Sequence, residues 1–204
     1  MSDEIKRVKR ELKFKGKIID FYQDTMEING DHTVIWDFIK HKGAAAVVPV
    51  TDEGKILMVR QYRNALERYT LEIPAGALDT ASFPEKECMA DEHILGSYTE
   101  IIIAENQLDE DVELDEELEE ETGYRSENLE WLINLRTTVA FCNEKIEIYV
   151  AQDLKPTHQH LDEDEFIDVY AYSVDELCEM IYSGKIEDGK TIAAIMSYKA
   201  KYEK

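Results

Sequence analysis

Five carboxylates fall within six residues in Glu116-Glu117-Leu118-Glu119-Glu120-Glu121, and Thr122-Gly123-Tyr124 closes the run. Coiled as a helix, the run sets Glu117, Glu120 and Glu121 at i, i+3 and i+4, so three carboxylates share one face near the C-terminal end. Like charges at that spacing repel, and acids at a helix C-terminus oppose its macrodipole, each by about a few tenths of a kcal/mol. Such a face calls for a cation to compensate it. A solvated helix face is the other reading of the same residues. Gly123 supplies the left-handed stop.

Two further stretches carry groups suited to phosphate or proton chemistry. Val59-Arg60-Gln61-Tyr62-Arg63 ends an expected strand on two guanidinium groups, whose planar forks fit phosphate oxygens. Surface charge is the alternative. Leu161-Asp162-Glu163-Asp164-Glu165-Phe166-Ile167 is an acidic loop leading into a strand. His158-Gln159-His160 lacks a third ligand at a useful spacing and reads as solvated. Cys142 has no partner motif that would activate it as a nucleophile.

A chain of 204 residues, 44% of them hydrophobic, can bury one compact core with an extra element attached. Its formal net charge of −22 argues against nucleic-acid phosphates or anionic lipid as partners. An anionic substrate would need local arginines and divalent cations to overcome that field. Cys88, Cys142 and Cys178 show no paired spacing, as expected of reduced thiols in a cytoplasm. No apolar run approaches the roughly 18 to 20 residues of a membrane span, and the charged first twelve positions do not form a secretory signal. A cytoplasmic protein is expected.

The elements that would position these groups can be read in outline. Residues 10–39 alternate in patches around Asn29-Gly30, which predicts a small antiparallel β unit. Gly43 to Val50 is a continuous apolar strand, Thr51-Asp52-Glu53-Gly54 a turn, and Lys55 to Arg60 the returning strand. Thr70 to Gly76 reads as one strand running into a glycine turn. Further strands are expected over Glu130 to Leu135 and Lys145 to Ala151, joined by a long connection. Ser173 caps an amphipathic helix with Val174, Leu177, Cys178, Ile181 and Tyr182 on one face. Lys185 to Tyr202 is the closing helix, with Ile192, Ala193, Ile195 and Met196 inward.

From Glu117 onward, E-L-E-E-E-T-G-Y resembles the end of the Nudix box, G-x5-E-x7-R-E-U-x-E-E-x-G-U with U a bulky apolar residue, and Ile73-Pro74-Ala75-Gly76 matches its approach. The box is interrupted: its Arg should lie fourteen residues after the first Gly, yet the corresponding Glu116 lies forty after Gly76 (116 − 76), an excess of about 26. The positions of its Arg and first Glu hold Glu116 and Ser82. The acidic insertion falls at about 91–114. V-R-Q-Y-R, Glu144-Lys145, Ser183-Gly184-Lys185-Ile186 and Lys190-Thr191-Ile192-Ala193 resemble the ADP-ribose pyrophosphatase branch of the Nudix hydrolases, so the resemblance runs from about residue 8 to 202.

The resemblance implies an α/β (α+β) Nudix fold, a mixed sheet sandwiched between helices, over residues 42–204, with the N-terminal β unit, 1–41, as a dimerisation element. It implies hydrolysis of ADP-ribose, or another nucleoside diphosphate sugar, to AMP or another nucleotide and a sugar phosphate. Mg²⁺ or Mn²⁺ would be held by Glu117, Glu120, Glu121 and the carbonyl of Ala75. Arg63, then Arg60, would meet the diphosphate or ribose, Glu72 would reach the substrate, and Trp36 would stack on the base. Glu163, or else Glu165, would be the general base. The alternative is a Nudix-fold module that binds a nucleotide sugar or a protein partner without turnover. The acidic insertion could also dock a basic partner.

Overall fold

The computed structural model describes residues 4–77, 115–161 and 166–203. The insertion at 91–114, Ser82, the helix start expected over Pro84 to Ala90, the strand expected over Tyr98 to Ile103, Cys88, Glu163 and Glu165 lie outside the described residues. Two compact units emerge: Met1–Gly43 with Arg136–Ile146, and Ala44–Leu135 with Glu147–Lys204.

In the first unit, β1 (Ile5–Lys15), β2 (Asp20–Ile28) and β3 (His32–Lys40) form an antiparallel sheet in that order. Asn29 and Gly30 both take positive φ, 54° and 79°, the pairing that a tight hairpin with the right strand twist demands. Across β1 and β2, the Arg10 guanidinium grips Asp24 through two bonds of 2.7 and 2.6 Å and lies 3.9 Å over the Phe38 ring. That grip holds the Asp24 carboxyl below the usual range. The connection over 136–146 joins this unit through Ile39, whose N–H donates to the Phe141 carbonyl at 2.7 Å.

The second unit holds a four-stranded sheet in the order β7-β4-β10-β9, a three-stranded sheet in the order β12-β5-β6, and a two-stranded ladder of β11 and β8. Their ranges are β4 Ala44–Pro49, β5 Ile56–Arg63, β6 Arg68–Glu72, β7 Ala75–Ala77, β8 Tyr124–Arg125, β9 Asn128–Arg136, β10 Lys145–Gln152, β11 Lys155–Pro156 and β12 Ile167–Tyr172. Helix α1 covers residues 115–122, α2 is Val174–Tyr182 and α3 is Gly189–Tyr202. Because β4 is apolar at every position, it can be buried on both faces. Ala45 and Val47 pack with Tyr149, Ala151 and Leu118 of α1. Ala46 and Val48 alternate to the other face, also fully buried, and α3 contacts β4. The result is a mixed α+β architecture with helices on both faces of the four-stranded sheet.

Three expectations need correction. The strand expected from Thr70 to Gly76 is two strands in different sheets, because Pro74 cannot donate to a ladder and the chain crosses over at Ile73-Pro74. The closing helix begins at Gly189 with Asp188 as its cap, four residues later than expected, and it buries Thr191, Ala194, Ile195 and Tyr198 rather than Ile192, Ala193 and Met196. Tyr182 is 78% exposed, so the inward face of α2 is Val174, Leu177 and Cys178. No described helix is long and apolar enough to cross a membrane.

Candidate active site

Leu118 fixes the azimuth of α1. With that side chain fully buried against β4 and β10, its neighbours Glu117 and Glu121 are carried to β7, the edge strand of the same sheet. The Ala75 N–H donates to Glu121 Oε2 at 3.1 Å. Glu117 lies so close over Gly76 that a Cβ there would fall 2.5 Å from Glu117 Cγ and nearer still to its carboxyl group. Two carboxylates of the acidic face therefore converge on one dipeptide. An extended residue points its N–H and C=O to the same side; the Pro74 carbonyl accepts from the Val47 N–H of β4, and the register that pairs Gly76 with Ala45 turns Gly76 the same way and Ala75 the other. The Ala75 carbonyl thus projects away from β4, on the side where its N–H meets Glu121.

The end of α1 is clamped from outside. Gly123 takes φ 73°, and its missing side chain lets the 158–159 backbone approach, since a Cβ would sit 3.0 Å from the Gln159 nitrogen. The N–H groups of Thr157 and His160 then donate to the Gly123 and Glu120 carbonyls at 2.7 and 3.1 Å. The Gln159 amide reaches both the Glu121 and Ile167 carbonyls, at 2.8 and 3.3 Å. Carbonyls that a helix C-terminus leaves without partners are satisfied here by the segment carrying His158 and His160. On the outer side, Arg125 pairs with Asp115 at 2.7 Å and Glu119 at 3.5 Å, supplying part of the cationic compensation that the run demands.

Arg63 and Glu72 sit together at the head of this arrangement. Arg63 Nε and Nη2 grip the Glu72 carboxylate at 2.8 and 2.7 Å, Thr70 Oγ1 donates to it at 2.6 Å, and the Lys190 ammonium closes on its other oxygen. Burial alone would raise the Glu72 carboxyl, but the Arg63 fork, Lys190 and Thr70 outweigh it and hold the group at about 2. The Arg63 guanidinium is raised mainly by its bonds to Glu72, with Glu121 and Asp188 adding to the negative field around it. Arg63, Thr70, Glu72, Asp188 and Lys190 line a cavity of about 560 Å³ with Arg68 and Glu187. Glu72 stands three residues before Ala75, so one short strand crossover joins the cavity to the acidic helix.

Arg60 is not in this group. It alternates to the opposite face of β5, where it pairs with Asp168 at 2.9 Å and lies 3.8 Å over the Tyr69 ring. Trp36 stands on β3 of the other unit, 46% exposed. Sequence reasoning missed Lys190, Asp188 and Arg68. A signal for Lys190 was present: a cation in the first turn of a helix opposes the macrodipole and marks a nearby carboxylate.

No family model matches the chain. It is 36% identical over 194 residues to the methanol dehydrogenase activator of Bacillus methanolicus, covering 94% of this chain and 91% of that one. It is 34% identical, with the same coverage, to the ADP-ribose pyrophosphatase of Bacillus subtilis. The ADP-ribose pyrophosphatase of Mycobacterium tuberculosis is 26% identical over 201 residues, 97% of this chain and 84% of that one. A solved structure described as an ADP compounds hydrolase shares the fold with a TM-score of 0.74 at 17% identity, covering 97% of this chain and 93% of its own. The chain belongs to the Nudix hydrolases, in their ADP-ribose pyrophosphatase branch, and is an enzyme of that family with the Nudix fold. A non-catalytic binding module is not the reading these relatives favour.

Proposed function

We propose that the chain hydrolyses the diphosphate of ADP-ribose, or of a closely related nucleoside diphosphate sugar, to a nucleoside monophosphate and a sugar phosphate. The observation that carries this is the convergence of Glu117 and Glu121 on Ala75-Gly76, beside a cavity that presents Arg63. The names of two relatives, both ADP-ribose pyrophosphatases, point to the substrate.

Diphosphate oxygens repel an anionic nucleophile, so an enzyme acting on them must offset charge and deliver water in line. The carboxylates of Glu117, Glu120 and Glu121 and the carbonyl of Ala75 are hard oxygen donors of the kind that Mg²⁺ or Mn²⁺ takes. Among the described residues no three His, Cys, Asp or Glu side chains already form a metal-holding group, so the fit rests on donor chemistry and on that convergence. When bound, the metal supplies charge neutralisation and a more acidic water. The chain's own groups do the rest. Arg63 has one guanidinium edge on Glu72 and offers the other to a phosphate or ribose oxygen. Glu163, with Glu165 as the alternative, takes the proton from water.

Trp36 stacking on the base is a further part of the reading, as is a homodimer built through the N-terminal sheet. Ile5, Val8, Leu12, Phe14, Ile35 and Trp36 on that sheet are all between 46% and 66% exposed, which favours burial against a second copy. A cytoplasmic location accords with the unpaired cysteine spacing. The test is AMP release from ADP-ribose with Mg²⁺, run beside Glu121→Gln and Glu163→Gln. Turnover in the parent chain that both substitutions cut by at least about a hundredfold supports the reading. Binding without turnover in the parent chain overturns it.

A further inference from the structure

Glu72 has three partners, Arg63, Thr70 and Lys190, and one of them comes from α3. Oε1 accepts from Arg63 Nε at 2.8 Å and Thr70 Oγ1 at 2.6 Å, while Oε2 accepts from Arg63 Nη2 at 2.7 Å and from Lys190 Nζ. The Glu72 and Lys190 side chains are only 3% and 10% exposed. Lys190 is itself steered by Asp188, whose Oδ2 accepts from Lys190 Nζ at 3.0 Å and from Thr191 N at 2.9 Å and Thr191 Oγ1 at 2.6 Å. The capping residue of α3 thus fixes the ammonium in place.

Three cations, Arg63, Arg68 and Lys190, and three carboxylates, Glu72, Glu187 and Asp188, line the cavity, which is therefore formally neutral in a chain of net charge −22. Were Lys190 absent, the lining would carry −1, and Glu72 would draw all its ionic compensation from Arg63. We propose that Lys190 is a positioning residue for substrate binding: by sharing the Glu72 carboxylate, it holds Arg63 with its Nη1 edge toward the cavity and keeps the cavity from repelling an anion. The inference rests on the proposed hydrolysis of a nucleoside diphosphate sugar. It assigns to α3, which no motif of the box includes, a part in recognising the diphosphate.

The experiment compares the parent chain with Lys190→Met, Lys190→Arg and the double variant Glu72→Gln/Lys190→Met, using ADP-ribose and Mg²⁺ at low and high salt. Calorimetric binding of ADP-ribose is measured alongside, and thermal unfolding reports folding. Lys190→Met is expected to raise KM, and the calorimetric Kd, about tenfold with a much smaller change in kcat, and the defect is expected to shrink as salt screens the uncompensated charge. Lys190→Arg should recover most of the affinity. The double variant, which restores a neutral lining, should recover part of it and should fold even where the single variant does not. An affinity in Lys190→Met equal to that of the parent, or a loss that salt leaves unchanged and neither Lys190→Arg nor the double variant relieves, overturns the inference while the parent's turnover leaves the proposed function standing. A parent chain that neither binds nor cleaves ADP-ribose overturns the function and the inference with it.

Discussion

A single methyl group added at position 76 would test the proposed catalytic geometry separately from the fold. Gly76 lies in β7 with no positive φ, so alanine is acceptable to its backbone. The obstacle is Glu117: the added Cβ would lie 2.5 Å from Glu117 Cγ, whereas ordinary contact begins near 3.4 Å, so Cγ must retreat by about 0.9 Å and the carboxyl group by more. The displaced atoms are the end of a flexible side chain, so little stability is at stake. Misplacing a reacting constellation by about 1 Å can lower catalysis about a hundredfold. Gly76→Ala is therefore expected to reduce kcat for ADP-ribose by roughly that factor, while the melting temperature moves by no more than about 2 °C. Stopped-time AMP release and calorimetric unfolding on the same samples read both quantities. Full activity in Gly76→Ala would refute the placement of Glu117 in the site, and collapse of the fold would refute the separation of site from scaffold.

Other outcomes follow from the same coordinates. The Glu72 carboxyl is held at about 2, below its unfolded value near 4.5, so its contribution to stability is present above pH 4.5 and disappears as pH falls toward 2. Glu72→Gln should flatten the acid side of the stability curve in that window, measured by urea unfolding at a series of pH values. Ser173 and Glu176 form a reciprocal capping box at the start of α2, on the solvent side of the fold. Ser173→Ala should cost about 1 kcal/mol, or about 2 to 4 °C, without changing turnover. At Gly123, positive φ and the nearby Gln159 nitrogen act together, so Gly123→Ala should destabilise by more than about 1 kcal/mol and loosen the last turn of α1, seen as faster amide exchange there.

The parts of the molecule governed by local rules were legible in the sequence. Asn29-Gly30 announced its hairpin, Ser173 its helix, and the i, i+3, i+4 carboxylates their shared face on α1, because turn chemistry, capping and helical periodicity act over a few residues. Placement across sheets was not legible. Arg60 and Arg63 are three residues apart in one strand and so stand on opposite faces, a parity that the motif wording hides. The crossover at Ile73-Pro74 splits what reads as one apolar strand, and it also brings Glu72 to the cavity while leaving Ala75 on the edge facing α1. Lys190 lies 118 positions from Glu72, and only tertiary packing brings the two together. The capping Asp188 was legible in principle as an N-cap, yet the helix was expected from Lys185.

The most direct measurement is a Mn²⁺ titration followed by electron paramagnetic resonance on the parent chain and on Glu117→Gln/Glu121→Gln, with the folding of both confirmed by circular dichroism. The account predicts that the parent chain removes free-ion signal at micromolar Mn²⁺ and that the folded double variant leaves it in solution. Equal binding by both chains would mean that these two carboxylates, though gathered at Ala75 and Gly76, are not the ones that hold the ion.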